Sequence, residues 1–194
     1  MIISYYGLAC FKIQSGDTVL AIDPYGKGTN FTPPRFEAGV IIYTDQQAKQ
    51  DYSISGDPLV FSTPGEYETK NISFNGFGTA SAIPFFIEWD GIKLLHLGEL
   101  GEPDELEIIL DHIGTIDILF ISTASAPSKL QKIITQIDPR VVIPMQTTRA
   151  KKGSLELFLK EVGEKPEKLD KLTIKQKSLP VEGRRLVVLE ALGS

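Results

Sequence analysis

The stretch from residue 83 to residue 101, IPFFIEWDGIKLLHLGELG, decides the fold class. Ile83–Trp89 and Ile92–Leu97 are rich in β-branched and aromatic residues, and Asp90-Gly91 between them supplies the positive φ angles of a type I′ turn. These residues predict a β-hairpin. After residue 100 apolar residues recur at helical spacing between short buried strands. Strands before this point and alternating strands and helices after it indicate the α/β class.

The residues before the hairpin predict a strand-rich first half. Ile2–Tyr6, Cys10–Gln14 and Thr18–Asp23 favour an antiparallel meander. Gly26–Pro34 is rich in Gly, Pro and Asn and predicts a loop, which leads to a buried strand at Gly39–Tyr43. Two further strands are expected at Leu59–Ser62 and, with loose alternation, at Tyr67–Phe77.

The residues after the hairpin alternate between helix and strand signals. The predicted helices are Pro103–His112, Pro127–Ile137 and Ser154–Val162, and the predicted strands are Ile116–Ser122, Arg140–Met145, Leu172–Gln176 and Arg185–Leu192. Lys and Glu alternate through Lys160–Lys171, which favours a solvated helix face and turn. Helices packed outside sheet predict a layered α/β sandwich, with residues 1–194 forming one domain.

Composition limits the classes of protein to which the chain can belong. Its 194 residues are 42% hydrophobic and 23% charged, which is ordinary for a globular domain. No apolar stretch reaches the roughly 18 residues of a membrane span, and the N-terminal residues lack a signal-peptide pattern. The lone Cys10 fits a reducing compartment. We therefore expect a cytoplasmic protein with no membrane association.

Charge is distributed unevenly along the sequence. The net charge is −5, yet residues 149–185 carry 11 Lys and Arg against 6 Asp and Glu. Within this segment Arg149, Lys151 and Lys152 follow Gln146 and could contact a phosphate-bearing small ligand or an acidic partner. A solvated loop explains them equally well. The overall negative charge makes duplex nucleic acid an unfavourable partner.

Five short motifs together resemble a known fold. In chain order they are Tyr6–Phe11, Ile22-Asp23-Pro24, Pro64–Glu68, His96–Gly101 and Val142–Met145. Their order and spacing are similar to those of the metallo-β-lactamase fold. The closest likeness is to a branch of small cytosolic zinc-dependent hydrolases that includes the ascorbate-6-phosphate lactonases. The resemblance implies a four-layer αββα sandwich with a metal site at the edge between its two sheets.

The metal-binding motif of that family is altered here. After a strand like Val40–Tyr43 the family has Thr and then His-x-His-x-Asp-His. In this chain Thr44 precedes a segment in which Asp45, Gln47 and Gln50 hold the three histidine positions and Lys49 holds the aspartate position. A glutamine amide is a poor zinc ligand, and a lysine brings positive charge to the place of a cation.

The remaining ligand positions are also changed. Glu99 stands where the family has a bridging aspartate, Gln146 stands at the last histidine, and Leu8 replaces a histidine of the first turn. His96 is not a ligand in that family. We therefore expect a vestigial site, lined by Asp45, Gln47, Lys49, Gln50, Glu99 and Gln146, that does not hold zinc. Two carboxylates left there need a cation, so Lys49 or Arg149 should pair with Glu99 or Asp45.

No other set of residues predicts catalysis. Cys10 lies in an apolar Ala-Cys-Phe context and favours a structural role. The resemblance therefore predicts a metal-free, non-catalytic metallo-β-lactamase-fold protein that acts as a binding or scaffolding subunit, with no cofactor. Its partner would be another protein or further copies of the chain, contacted at the cleft mouth or a sheet edge. The alternative is a zinc-dependent hydrolase of a small phosphorylated or lactone-like substrate with an unconventional site.

Overall fold

The computed structural model describes residues 1–45, 52–100, 102–147 and 150–192. The strands of the first half are β1 (Ile2–Tyr5), β2 (Phe11–Ser15), β3 (Thr18–Ile22), β4 (Val40–Ile42), β5 (Leu59–Phe61), β6 (Gly65–Thr69), β7 (Ile72–Gly76), β8 (Phe85–Trp89) and β9 (Ile92–His96). Those of the second half are β10 (Ile118–Ser122), β11 (Val141–Met145), β12 (Glu167–Leu169), β13 (Lys171–Thr173) and β14 (Arg185–Leu189). The α-helices are α1 (Glu107–Leu110), α2 (Pro127–Ile137) and α3 (Ser154–Val162).

These strands form two mixed sheets that face each other. One sheet has six strands in the order β13-β1-β2-β3-β4-β5, and the other has eight in the order β12-β14-β11-β10-β9-β8-β7-β6. The main core fills the space between them, with Ile13 and Leu20 from the first sheet and Phe85 and Phe120 from the second fully buried. The predicted layered α/β sandwich is confirmed.

The described helices cover the outer face of the eight-stranded sheet. Leu130 and Ile133 of α2 and Phe158 of α3 pack there against outward-facing residues such as Leu119 and Val142. The bounds of α2 and α3 agree with those predicted from the sequence. A smaller cluster around Ala21, Ala38, Ile41, Tyr43 and Ile54 covers part of the six-stranded sheet. None of the helices in the described ranges is long and apolar enough to cross a bilayer.

The helix expected over Pro103–His112 is shorter than predicted. A 3₁₀ turn covers Pro103–Leu106, and α1 continues only to Leu110. Leu106 and Ile109 are both fully buried, and their spacing of three residues suits a 3₁₀ turn as well as an α-helix. Apolar spacing alone therefore could not tell the two apart.

The prediction of one strand over Tyr67–Phe77 is wrong, because β6 and β7 form a hairpin there. The turn residues Lys70 and Asn71 have φ angles of 52° and 60°, as a type I′ turn requires. Lysine rarely adopts a positive φ, so the sequence carries no clear turn signal at this point. By contrast, the predicted turn at Asp90-Gly91 is confirmed, with φ angles of 53° and 72°.

The segment Lys160–Lys171 is not only a helix face and turn. Glu167–Leu169 is a strand, β12, which pairs in parallel with β14. Arg185 of β14 holds the carboxylate of Glu167 through two bonds of 2.9 and 2.8 Å, so the charged pattern marks an edge strand. The strand expected at Leu172–Gln176 ends at Thr173, and a 3₁₀ turn follows over Gln176–Ser178.

Candidate functional site

Several loops meet at one edge of the sandwich, where the carboxyl ends of β3, β4, β9 and β11 lie. Asp23 follows β3, and Thr44 and Asp45 come shortly after β4. Glu99 lies three residues beyond β9, and Gln146 directly follows β11. The carboxyl ends of parallel strands are where α/β proteins build their sites. This edge is therefore the candidate functional site.

Asp23 is the half-buried centre of this edge. Its Oδ1 accepts the backbone N–H of Thr44 at 2.7 Å, and its Oδ2 accepts the Thr44 hydroxyl. The carbonyl of Thr44 in turn accepts the N–H of Ile83 at 2.7 Å. Asp23 has a φ of 44°, a left-handed conformation that non-glycine residues seldom adopt. The carboxylate of Asp23, carried on a left-handed backbone, therefore fixes the point where the chain leaves β4.

The Asp23 carboxyl is held in an environment that disfavours its charge. Burial raises its pKa from 3.8 to about 7, the two hydrogen bonds from Thr44 oppose this shift, and the negative charges of Asp45 and Glu99 add to it. The electrostatic coupling places these three acidic side chains in one neighbourhood. The site thus gathers carboxylates from three different loops.

Gly98 brings the loop after β9 into contact with Thr44. Its φ is 60°, and a Cβ atom at this position would lie 2.7 Å from Thr44 Oγ1. Glycine is required here both by the backbone angle and by the close approach. The Gly98 N–H is accepted by Nδ1 of His96 at 3.2 Å, so the imidazole fixes the turn that carries Glu99.

His96 is a neutral core residue and not a ligand. Burial lowers its pKa from 6.5 to about 3, and its ring packs against Phe11 and Phe120. The backbone of Ala9 favours the protonated ring, while Nε2 makes no hydrogen bond within the described part of the chain. The histidine therefore links the turn before β2 to the turn after β9.

Tyr5 joins two further loops of the site. Its hydroxyl donates to the carbonyl of Leu8 at 2.8 Å and accepts the N–H of Gln146 at 3.2 Å. Burial raises the pKa of this phenol, so it stays protonated. Leu8 has a φ of 56°, which is a second strained position at the same edge. Tyr5, Asp23 and His96 thus each tie together two of the loops that form the site.

The structure places the predicted site residues as follows. Asp45 and Gln146 are exposed, Glu99 is half-buried, and Asp45 and Glu99 both act on Asp23. Gln47, Lys49 and Gln50 lie outside the described residues, as does Arg149. The expected ion pair of Lys49 or Arg149 with Glu99 or Asp45 therefore stays a prediction.

Lys151 and Lys152 are exposed beyond the end of β11. Their side chains make no hydrogen bond or ion pair with another residue that the structure describes. The chain around them is held by buried hydroxyls, because Ser122 Oγ lies 3.0 Å from Thr147 Oγ1 and Thr123 Oγ1 lies 2.9 Å from Ser154 Oγ. Two exposed cations thus lie close in sequence to hydrogen-bonded residues at the end of β11.

The donors at the site do not fit zinc. In structural and catalytic zinc sites the ligands are mainly imidazoles and thiolates. The described ligand positions carry a hydrocarbon side chain at Leu8, carboxylates at Asp45 and Glu99, and an amide at Gln146. The nearby imidazole of His96 uses Nδ1 to hold Gly98 and is enclosed by aromatic rings. Asp23, Asp45 and Glu99 interact electrostatically, but no group of three or more His, Cys, Asp or Glu side chains among the described residues is arranged so that it could hold a metal ion.

Cys10 does not supply a nucleophile. It is fully buried, and burial raises the pKa of its thiol, with a further contribution from the charge of Asp23. A protonated, inaccessible thiol is unreactive. Sequence reasoning missed the roles of Tyr5 and Thr44 and treated Asp23 only as a family landmark. An acidic residue between an apolar strand and a proline was the signal that could have identified Asp23 as the residue that anchors the chain after β4.

Comparison with solved structures gives the same fold across the whole chain. A protein from Thermotoga maritima, assigned to the Zn-dependent hydrolases of the metallo-β-lactamase superfamily, is 27% identical, with a TM-score of 0.79 over 97% of this chain and 98% of that one. The metallo-β-lactamase fold protein YhfI from Bacillus subtilis is 9% identical, with a TM-score of 0.58 over 98% and 96% of the two chains. The second likeness shows the fold alone.

A third structure is similar over much of its length. The metallo hydrolase Igni18 from the archaeon Ignicoccus hospitalis is 13% identical, with a TM-score of 0.52 over 84% of this chain and 91% of that one. A comparison with curated proteins finds no match. Residues 2–146, more than half of the chain, match the family of the β-lactamase superfamily domain, and the protein therefore belongs to the β-lactamase superfamily.

Proposed function

We propose that this protein is a non-catalytic member of the superfamily, a metal-free binding or scaffolding subunit built on a degenerate metal site. One observation carries the proposal. The framework of the site is complete, with Tyr5, Asp23 and His96 holding its loops, while the described side chains at the ligand positions are unsuited to zinc. A framework without its ligands supports recognition better than hydrolysis.

The free-energy cost of this framework supports a function at the site. Leu8 and Asp23 both hold left-handed backbone conformations, each of which costs about 1–3 kcal/mol. The burial of the Asp23 carboxyl adds a further penalty. Strain of this kind persists where surrounding structure enforces it, and it is concentrated at sites that bind or react. The proposed role therefore uses the same edge as the family's metal site.

The cleft mouth is the favoured contact surface within this proposal. The outer strand β6 exposes Glu66 and Glu68, and β12 at the other end of the same sheet exposes Glu167 and Lys168. Charged side chains on edge strands oppose the addition of another strand. Lys151 and Lys152 at the mouth instead suit a phosphate-bearing small ligand or an acidic protein face. The proposed setting is the cytoplasm, where Cys10 stays a thiol.

Elemental analysis of the purified protein tests the metal-free state. The protein is prepared without a chelator and without a metal-binding tag, and zinc, manganese and iron are measured per chain. We expect each metal to be well below one equivalent. One firmly bound equivalent would instead support the alternative, a metal-dependent hydrolase of a small phosphorylated or lactone-like substrate.

A charge-neutralising variant tests the contact surface. Arg149, Lys151 and Lys152 are changed together to Gln, and binding of inorganic phosphate and of affinity-captured protein partners is compared with that of the wild type. A matched control changes Lys165, Lys168 and Lys171 to Gln, which removes the same charge elsewhere. Loss of binding in the first variant alone supports the cleft mouth, whereas equal binding by both variants removes it from consideration.

A further inference from the structure

A groove lies at the end of the parallel strands opposite the candidate site. Its volume is about 450 Å³, and it lies where the chain enters β10, β11 and β14. Its lining residues come from four loops and include Ile116, Asp138, Pro139, Arg140, Glu164 and Val181. Nothing in the proposed function uses this groove.

The groove has an apolar floor and a charged rim. Ile116 and Pro139 are buried beneath it. On the rim, Arg140 Nη1 lies 3.2 Å from Asp117 Oδ1, and Arg184 Nη2 lies 2.9 Å from Glu164 Oε1. Because each arginine is paired with one carboxylate and Asp138 adds a negative charge to the rim, an acidic group gains by binding only beside Arg140, and only when an apolar part is buried with it. An occupant with an apolar part and a single acidic group suits this surface better.

The loop on the rim of the groove has this chemistry itself. Val181 is 95% exposed, the highest value of any large apolar residue in the described chain. Glu182 beside it is also exposed and makes no hydrogen bond or ion pair with a described residue. Arg140 has a half-exposed side chain, and the structure assigns only Nη1 to a partner among the residues it describes.

We propose that the occupant is a second copy of this chain, bound through a two-fold axis beside the groove. Each copy places Val181 over the partner's Ile116 and Pro139, and Glu182 pairs with Arg140 across the axis. Self-complementary patches of this kind generate closed dimers, because a residue and its target exchange roles between the two copies. An apolar anchor in a pocket with a polar rim is the usual centre of such an interface.

The loop is also held in place before association. Arg184 bonds to Glu164 at 2.9 Å, and Arg185 bonds to Glu167 through two contacts. These pairs fix the chain immediately after Val181 and Glu182. A loop that is already ordered loses little conformational freedom on binding, which favours association.

Sedimentation equilibrium over a wide concentration range tests the dimer. We expect the wild type to associate reversibly. Val181→Asp should raise the dissociation constant by about 100-fold, because the dimer has two such contacts and the loss of a buried valine from each raises the constant by about tenfold. Leu59→Asp is the matched control, because Leu59 is 49% exposed on β5, far in sequence from every residue that lines the groove. A wild type that remains monomeric at about 1 mM overturns the proposal.

A charge exchange tests the orientation of the two copies. Glu182→Arg alone and Arg140→Glu alone each place like charges across the axis and should be monomeric. An equimolar mixture of the two variants restores both ion pairs and should form a heterodimer, and thermal melting confirms that each variant is folded. If Arg140→Glu does not fold, Glu182→Arg alone still tests the interface, because Glu182 is exposed and makes no hydrogen bond or ion pair with a described residue. Unchanged association of Glu182→Arg would rule out this interface.

Discussion

Replacement of Asp23 by Asn should remove the contribution of this carboxyl group to the pH dependence of the free energy of unfolding. Asparagine has nearly the same shape, tolerates the left-handed backbone at this position, and can still accept the Thr44 N–H through its carbonyl oxygen. It has no carboxyl group to titrate. The variant therefore isolates the effect of the Asp23 charge.

The direction of the effect follows from the raised pKa. In the folded protein Asp23 binds its proton with a pKa of about 7, whereas the unfolded chain has the ordinary value of 3.8. Between these values the native state holds more protons than the unfolded state, so the free energy of unfolding falls as the pH rises. The full penalty is present above pH 7 and disappears below pH 4. By linkage it grows by about 2.5 kcal/mol between pH 5 and pH 8.

Chemical denaturation at pH 5, 6, 7 and 8 and constant ionic strength measures this penalty. Groups other than Asp23, including His96, titrate in both proteins, so their contributions cancel in the difference between wild type and variant. We expect the variant to gain about 2.5 kcal/mol relative to the wild type from pH 5 to pH 8. A difference that stays constant across this range would refute the argument that burial raises the pKa of Asp23.

Three further substitutions test the buried framework of the site. His96→Leu removes the acceptor of the Gly98 N–H and should cost about 1–3 kcal/mol at neutral pH. In the wild type the unfolded chain gains a proton on this histidine below pH 6.5, whereas the folded protein does not, and this favours unfolding. The variant should therefore lose about 2 kcal/mol less stability than the wild type between pH 6.5 and pH 5. Gly98→Ala should destabilise more than Gly163→Ala in thermal melts, since both glycines have positive φ angles but only Gly98 meets an atom within 3 Å. Tyr5→Phe should cost about 1–3 kcal/mol and speed hydrogen exchange at the Gln146 amide, and unchanged exchange there would contradict the proposed bridge.

Local signals in the sequence were sufficient for much of the fold. The turn at Asp90-Gly91 and the bounds of α2 and α3 could be predicted, because glycine, proline and apolar spacing mark them directly. The turn at Lys70-Asn71 could not, since its positive φ angles are imposed by pairing of β6 with β7. The strand β12 depends likewise on a distant partner, β14.

The sequence predicted the ligand positions of the site but not the residues that hold its loops in place. Asp45, Glu99 and Gln146 follow recognisable strands, and the described residues bring the loops that carry them to one edge. The role of Tyr5 depends on its contact with Gln146, more than 100 residues away in sequence. The role of His96 depends on the buried turn at Gly98. Pattern and propensity contain no information on such contacts.

The response of the melting temperature to zinc tests the central claim most directly. The control variant restores the family's donors through Asp45→His, Gln47→His, Lys49→Asp, Gln50→His and Gln146→His. A ligand that binds only the folded state raises its stability, by about 2.7 kcal/mol at 100 times the dissociation constant. Our account predicts a rise of several degrees for this variant and none for the wild type. A wild-type rise as large as that of the variant would contradict it.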